Sequence, residues 1–323
     1  MRALLFGCAL LLSSCSGRRE EVVVYASADE EYAAPLFAAF EKETGIHVLP
    51  LYDTEEAKTL GLVHRILQER THPQADVFWS GDCARSALLK KQRALEAYRV
   101  PTAEAIGSEW RDADHAWTGF GARARVIVYN TKRVQEPPRT IADISAPKWK
   151  GRIAVANPLF GTTAAHVAAL AQARGEAAAI KLFAALRANE ARFVGGNSHV
   201  RDLVASGDCD AGLTDTDDVW VGKQRGDPIE MIYPDQDGDG TLVIPNSAAL
   251  IKGAPHAANA KRFLDWLLRP ETEALLAKGP SHQMPVRRAI SDELSKIRAI
   301  HVDWGKLSDS EALIARVKDA LGL

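Results

Sequence analysis

The sequence predicts an α/β fold built from two domains. Short runs of β-branched residues alternate with Ala-rich amphipathic segments along the chain, which is the pattern of a sheet flanked by helices. The chain has 323 residues, more than a single hydrophobic core usually serves, and it contains no internal repeat. Length and alternation together therefore favour two α/β domains over one.

Secondary-structure signals follow one another in a regular order. Ser27 and Glu30 form a capping-box pattern at the start of the first helix, and Gly45 closes that helix. Runs rich in Val, Ile and aromatic residues predict strands over 22–25, 46–51, 75–79, 125–129, 153–156 and 210–214. Amphipathic runs predict helices over 29–44, 56–70, 162–174, 257–268, 270–278 and 309–321.

The first fifteen residues have the features of a lipoprotein signal peptide. Arg2 precedes an apolar run over 3–12, which is about half of the roughly 20 residues that a spanning helix needs. Ser13 and Ser14 then precede Cys15, which resembles the lipobox, where the cysteine is acylated and becomes the mature N-terminus. We expect a periplasmic protein anchored to the membrane by this lipid only; an unlipidated secreted protein is the alternative.

Charge and cysteine content narrow the function classes. The formal net charge of -2 argues against a nucleic-acid-binding surface. Besides the N-terminal cysteines, the chain has Cys83 and Cys209, and neither belongs to a CxxC pair. We expect both to be small buried hydrophobic residues, with a disulfide between them as the alternative.

A series of short motifs occurs in the order found in type II periplasmic binding proteins. They are VYAS at 24–27, FEKETGI at 40–46, ADVF at 75–78, VYN at 128–130, PKWKGRI at 147–153, NS at 197–198 with VASG at 204–207, and NSAAL at 246–250. They cover nearly the whole chain after Cys15. The sequence resembles most closely the ferric-ion-binding branch, whose members serve ABC-type iron importers.

The resemblance implies two lobes joined by hinge strands, with the ligand held in the cleft between them. We expect the chain to cross between the lobes near 119–125 and again near 243–247. The first lobe would then combine residues 20–120 with 245–323, and the second lobe would comprise 121–244. A monomer that delivers its ligand to an importer permease is the implied assembly.

The ligand-binding positions of the iron-binding branch hold different residues in this sequence. In that branch two adjacent tyrosines at the start of a second-lobe helix bind the metal, helped by a His and a Glu from the first lobe. Asp217 and Asp218 occupy the tyrosine positions, Asp29 occupies the His position, and the Glu position falls near Gly81. Carboxylates are hard oxygen ligands, so Asp29, Asp217 and Asp218 are the candidate metal ligands, with Asp215 beside them. The adjacent aspartates would also complement the dipole of a helix start without any ligand.

A second group of polar residues suits an anion. Gly161, Thr162 and Thr163 open a predicted helix, where backbone N–H groups and the helix dipole favour negative charge. The resemblance implies that this turn holds phosphate or carbonate, with Asn197 and Ser198 as a further polar contact. Ordinary capping of the helix by Thr162 is the alternative.

An acidic cluster that faces an anion-binding turn fits two kinds of ligand. One is a metal ion, with ferric iron as the first candidate, bridged by phosphate or carbonate. The other is an organic zwitterion or anion, such as an aminoalkylphosphonate or a sugar phosphate, whose cationic end would contact the aspartates. Ser27 and Trp220 are predicted to complete the lining of the cleft.

Motifs of catalysis are missing from the sequence. It contains no GxSxG elbow, no HExxH helix and no GxxxxGK phosphate loop. We therefore expect a solute-binding protein rather than an enzyme. An exported metal-assisted hydrolase and a sensor input for a signalling kinase are the remaining alternatives.

Overall fold

The structure, a computed structural model, describes residues 20–28, 30–53 and 60–323. In these residues the strands are β1 (Glu21–Ala26), β2 (His47–Tyr52), β3 (Val77–Ser80), β4 (Leu95–Glu96), β5 (Thr118–Asn130), β6 (Ile153–Ala156), β7 (Arg192–Val194), β8 (Ala211–Asp215), β9 (Ile229–Ile232) and β10 (Val243–Ile251). The α-helices are α1 (Glu30–Thr44), α2 (Gly61–Gln68), α3 (Cys83–Lys91), α4 (Gly161–Arg174), α5 (Glu176–Ala188), α6 (Asn197–Ser206), α7 (Thr216–Gln224), α8 (Ala257–Leu267), α9 (Pro270–Lys278), α10 (Trp304–Leu307) and α11 (Glu311–Leu321). The predicted signal peptide, Cys15 and Asp29 lie outside the described residues.

The predicted elements are present with shifted ends, and β5 differs most. It was predicted over 125–129 but begins at Thr118, because its first half pairs with β10. Two glycines and one arginine, Arg123, interrupt the apolar pattern in that first half. Gly119 is required there by close packing, since a Cβ at this position would lie 2.7 Å from the carbonyl oxygen of Trp110.

One continuous sheet joins two parallel groups of strands. The strand order is β2-β1-β3-β10-β5-β8-β6-β7, with β4 beside β10 and β9 beside β5. β1 is parallel to β2 and β3, and β6 is parallel to β7 and β8. The antiparallel strands β10 and β5 connect these groups. Each parallel group with its helices forms one lobe, which confirms the predicted two-lobed α/β fold.

Strands β5 and β10 carry the chain between the lobes. Residues 118–124 of β5 pair with β10, whereas residues 125–129 pair with β8. The register with β10 shifts between Pro245 and Asn246, and Gly121 on the facing strand has a φ of +42°. A left-handed backbone angle favours glycine, and a Cβ at Gly121 would also approach Gln283 Oε1 to 3.2 Å.

A buried ion pair holds this part of β5 in place. Glu273 and Arg287 are 0% and 1% exposed, and Arg287 Nη1 donates to Glu273 Oε2 at 2.7 Å. Glu273 Oε1 accepts from the backbone N–H groups of Gly121 and Val286 at 3.0 and 2.8 Å. The carboxylate of α9 therefore links the hinge strand to the segment that follows α9.

The C-terminal helices contact elements of both lobes. α10 packs against α3 and α4, and α11 packs against α5 and α4. Asp303 and Gln172 exchange two hydrogen bonds of 3.0 Å, and Arg316 forms an ion pair with Glu176. The last residues of the chain thus lie beside helices that follow β6.

The two internal cysteines are free, so the alternative of a disulfide between them is wrong. Cys83 is 0% exposed and Cys209 is 1% exposed, as expected for small buried hydrophobic residues. Burial raises the pKa of both thiols. Among the helices in the described part of the chain, none is long and apolar enough to cross a membrane.

We expect the Arg287→Met substitution to lower the free energy of unfolding by about 3–5 kcal/mol, because it leaves the Glu273 carboxylate buried without its partner charge. Urea unfolding followed by circular dichroism measures this change. As a control, Lys296→Met removes an exposed pair with Asp292 and should change stability by less than about 0.5 kcal/mol. Equal effects of the two substitutions would contradict the proposed role of the buried pair.

Candidate functional site

A buried ion pair between Arg125 and Asp215 forms the centre of the candidate site. The two residues face each other across β5 and β8, and Arg125 Nη1 lies 2.7 Å from Asp215 Oδ1. Arg125 is completely buried and Asp215 is 2% exposed. A charge removed from water is tolerated when an opposite charge and hydrogen bonds satisfy it. The pair therefore fixes both side chains where β5 enters the second lobe.

Three polar side chains complete the surroundings of this pair. Thr162 Oγ1 donates to Asp215 Oδ2 at 2.6 Å and accepts from Arg125 at 3.1 Å. Asn197 accepts from Arg125 at 2.9 Å and donates to Asp215 at 2.9 Å. Thr163 Oγ1 accepts from Arg125 Nη2 at 3.2 Å. The first residues of α4 and α6 are thereby tied to the end of β8.

Two more aspartates follow at the start of α7. Asp217 is 8% exposed and Asp218 is half-buried, and both lie in the first turn of the helix. Asp215, Asp217 and Asp218 each offer an oxygen atom, and these atoms lie within 4.8 Å of one another. Clustered carboxylates repel one another unless cations or hydrogen-bond donors compensate their charge.

Guanidinium groups provide part of that compensation. Arg123 Nε lies 3.4 Å from Asp215 Oδ2 and 3.9 Å from Asp217 Oδ2. Arg201 Nη1 lies 3.9 Å from Asp218 Oδ1. Together with the buried Arg125, these arginines compensate part of the carboxylate charge, and Arg201 also pairs with Asp202 at 2.9 Å.

The first lobe reaches the site through Ser27 and Gly81. Ser27 Oγ accepts from the backbone N–H of Gly81 at 3.0 Å. A Cβ at Gly81 would lie 3.3 Å from Arg123 Nη2 and 3.6 Å from the carbonyl oxygen of Ser27. Glycine at this position lets the guanidinium of the hinge strand approach the first-lobe backbone.

The start of α4 combines an N-cap residue without a side-chain capping bond and a glycine in the left-handed region. Its N-cap residue, Phe160, makes no side-chain capping bond, and the Phe160 side chain is 50% exposed. Gly161 follows with a φ of +55°. The alternative that Thr162 merely caps this helix does not agree with the structure, because its hydroxyl donates to Asp215. The positive end of the α4 dipole therefore points toward the acidic cluster without a capping side chain at Phe160.

The structure brings most of the predicted site residues together. Asp215, Asp217 and Asp218 form one cluster, and Thr162, Thr163 and Asn197 are joined to it by the hydrogen bonds above. Ser198 is exposed on α6. Trp220 stacks on His282, with ring centroids 4.2 Å apart. Ligand binding by each of these residues stays a prediction.

Arg123 and Arg125 were not predicted to be site residues. They occupy alternate positions of a strand, so both side chains leave the same face. Charged residues are almost never fully buried unless they are paired. Two arginines in an otherwise apolar run therefore indicate that carboxylates lie opposite β5. Asp215 is the carboxylate that pairs with Arg125.

Comparisons with known proteins agree with this architecture. The family model described as bacterial extracellular solute-binding protein matches residues 22–279. Iron uptake protein A1 of Synechocystis sp. is 30% identical over 300 residues, covering 85% of this chain and 81% of the relative. A protein named as 2-aminoethylphosphonate-binding and periplasmic in Salmonella typhimurium is 26% identical over 298 residues, covering 88% and 84% of the two chains. The crystal structure of iron-bound HitA from Pseudomonas aeruginosa superimposes with a TM-score of 0.83 at 22% identity, covering 94% of this chain and 100% of that one.

A histidine behind the site makes stability depend on pH. His166 on α4 is completely buried, and neither ring nitrogen has a hydrogen-bond partner in the described residues. Burial, followed by the positive charges of Arg125 and Arg174, holds the pKa of His166 well below its usual value. The folded protein therefore keeps this ring neutral under conditions in which the unfolded chain protonates it.

We expect His166→Leu to reduce the loss of stability in mild acid. The neutral ring of the wild type contributes its full share of stability above about pH 6.5, and this share falls by about 1.4 kcal/mol per pH unit below that point. Urea unfolding of both proteins at several pH values between about 7.5 and 5 measures the difference. Parallel pH profiles for the two proteins would contradict this prediction.

Proposed function

Because the chain belongs to the bacterial extracellular solute-binding protein family, we propose that it captures a small ligand between its lobes and delivers it to the permease of an ABC-type importer. Its family and structural neighbours are binding proteins, so it is a solute-binding protein and not an enzyme. The cluster of Asp215, Asp217 and Asp218 beside the start of α4 supports this location for the ligand.

We propose ferric iron, accompanied by an anion, as the first candidate ligand. The observation that carries this assignment is the placement of three carboxylates within 4.8 Å of one another. Hard carboxylate oxygens suit a highly charged cation. Asp215 is already held by Arg125, so Asp217 and Asp218 would be the metal ligands of the second lobe, with Asp29 added by the first lobe. The iron named in the Synechocystis relative agrees with this choice.

The charge balance of the site requires the anion. Arg123, Arg125 and Arg201 already compensate part of the charge of the three clustered carboxylates. A bare trivalent cation would therefore leave excess positive charge in a cleft where Asp217 is only 8% exposed. Phosphate or carbonate bound at Gly161 and Thr163 would supply negative charge at the positive end of the α4 dipole. Ser27, Asn197 and Ser198 would line the same space.

An organic zwitterion is the second candidate, and the same charge balance favours it. A site whose carboxylates are already partly compensated by arginines accepts a neutral pair of charges more readily than a highly charged single ion. An aminoalkylphosphonate would place its ammonium group on Asp217 and Asp218 and its phosphonate group at the start of α4. The phosphonate ligand in the name of the Salmonella relative agrees with this arrangement.

We base the proposed lobe boundaries on the strand pairing and the C-terminal contacts, and they differ from the predicted 20–120 with 245–323 in the place given to the C-terminal residues. We place the two crossings at residues 119–125 and 243–247, where β5 and β10 pair. Residues 20–118 and 248–296 would then form the first lobe. The second lobe would take up residues 126–242 and, in addition, the C-terminal residues 297–323, because α11 packs against α4 and α5.

We further propose that Cys15 carries a lipid that anchors the protein to the cell envelope. Ser13 and Ser14 before Cys15 are the sequence features that support this proposal. The anchor would keep the binding protein near the permease without a spanning helix, although a single acyl chain binds membranes weakly and stable attachment needs more than one.

We expect ligand binding to depend on the acidic residues of α7. A thermal-shift screen of the domain from Ser16 onward would use ferric citrate with and without phosphate or carbonate, 2-aminoethylphosphonate, and a sugar phosphate. The ligand should raise the melting temperature by mass action, stabilising the fold by about 2.7 kcal/mol at 100 times its dissociation constant. Asp217→Asn combined with Asp218→Asn should weaken binding by roughly 100-fold or more, because two charge-assisted contacts are lost.

The control for this experiment is Asp237→Asn combined with Asp319→Asn, which removes two exposed carboxylates away from the cleft. It should bind as tightly as the wild type. A shift with ferric iron identifies the metal as the ligand, whereas a shift with 2-aminoethylphosphonate alone identifies the zwitterion. Unchanged binding by the Asp217 and Asp218 double variant would remove the acidic cluster from the site.

We expect Cys15→Ser to move the protein from the membrane fraction to the soluble fraction of the cell envelope, because the acylated residue is lost. Fractionation followed by immunoblotting measures the distribution. Ser16→Ala is the control and should stay in the membrane fraction. Equal distribution of the wild type and Cys15→Ser would contradict lipid anchoring.

A further inference from the structure

Helix α7 contacts the segment that follows α9 through Trp220 in its middle and Gln224 at its C-terminal end. The rings of Trp220 and His282 lie 4.2 Å apart between centroids, with an interplanar angle of 38°. Gln224 Nε2 donates to the carbonyl oxygen of Pro280 at 3.2 Å. Both contacts join α7, which packs on β8 and β9, to the segment 280–284 that follows α9.

The segment 280–284 is firmly attached to the hinge. The backbone of Met284 pairs with Ala122 of β5 through hydrogen bonds of 2.7 and 2.8 Å. Gln283 accepts a hydrogen bond from the Asn246 side chain, which also donates to the carbonyl oxygen of Gly121 at 2.6 Å. Residues of both crossing strands therefore hold the segment that presents His282 to Trp220.

The backbone conformation at His282 indicates that neighbouring contacts hold the ring in place. Its φ is +45°, a left-handed conformation that is uncommon for residues other than glycine and in which Asn, Asp and His are enriched. Such a conformation persists when the surroundings determine it. Here the hydrogen bonds of Gln283 and Met284 fix the backbone that follows His282, and the His282 ring stacks on Trp220.

Trp220 is separated from Asp217 by three positions, which places the two side chains on the same side of α7. The helix spans nine residues, Thr216–Gln224, so its two ends move together. A contact that fixes Trp220 therefore also fixes the direction in which Asp217 points. Asp217 is 8% exposed in this arrangement.

We propose that His282 is a positioning residue for the ligand site. Its stack with Trp220 holds α7 against the first lobe and keeps the carboxylates of α7 in the solvent-shielded arrangement described above. The stack thereby sets the fraction of ligand-free protein that is ready to bind. This inference rests on the proposed location of the ligand, but it assigns Trp220 to the contact between the lobes instead of to the ligand.

The expected effect on affinity follows from this population. The apparent dissociation constant equals the intrinsic constant divided by the fraction of protein in the binding-competent arrangement. A stacked aromatic pair shifts such an equilibrium by roughly two- to tenfold. Loss of the His282 ring should therefore weaken binding by up to that factor, because it lowers the competent fraction of the ligand-free protein.

The test uses His282→Asn, which removes the ring but suits the left-handed backbone. Small-angle X-ray scattering of the ligand-free protein from Ser16 onward would measure the radius of gyration, and titration with ferric citrate or 2-aminoethylphosphonate would measure affinity. We expect a larger radius of gyration without ligand and a roughly two- to tenfold weaker affinity. Trp220→Ala should act in the same way, and the double variant should add little to either single change.

Two controls separate this role from other effects. Trp220→Phe keeps an aromatic ring next to His282 and should retain most of the compact population that Trp220→Ala loses. His64→Asn changes an exposed histidine of α2 and should leave both readouts unchanged.

An unchanged radius of gyration in ligand-free His282→Asn would overturn the proposal. Unchanged or tighter affinity of that variant would overturn it as well. The scattering measurement needs no ligand, so it decides the role of His282 even if neither ferric citrate nor 2-aminoethylphosphonate binds. Failure of the proposed ligand and failure of this inference therefore give different results.

Discussion

The charges of Arg125 and Asp215 are buried where β5 passes into the second lobe. Because they are removed from water, they need hydrogen-bond partners in the surrounding protein. The pair cannot be separated without leaving a charge in an apolar interior, so β5 and β8 stay in register at this point. The helices α4 and α6 must begin nearby, because Thr162 and Asn197 supply the remaining hydrogen bonds. The cleft is therefore shaped by the need to satisfy one ion pair, and α7 starts directly after it at Thr216.

The fold was largely predictable from the sequence because its elements are locally encoded. The Ile-Ala-Val-Ala run of β6 and the Ala-rich α4 appear where β-branched content and helical periodicity predicted them. β5 was predicted too short because Gly119, Gly121 and Arg123 break the apolar pattern of its first half. That half is stabilised by distant partners, namely β10 and Glu273, and pairing between segments more than a hundred residues apart leaves no local signal.

The site was only partly predictable for a similar reason. Asp217 and Asp218 could be found because aligned motifs mark the start of α7, whereas the counter-charges come from β5. The resemblance to iron-binding proteins directed attention to acids that could replace tyrosines. The structure adds that guanidinium groups accompany these acids and compensate part of their charge, which limits how much positive charge a ligand can bring into the cleft. His282 lies outside the family motifs, and only its contact with Trp220 reveals it.

The strand order also has a consequence for the time at which the protein can fold. β3 and its neighbour β10 are separated by more than 160 residues, so the first-lobe sheet is incomplete until most of the chain has been made. The packing of the second lobe is completed later still, because α11, near the C-terminus, covers α5. Pairing over such separations is slow, since the entropy of closing a long loop is lost before any contact is gained. Both lobes therefore gain their last packing contacts only when the C-terminal segments of the chain are available.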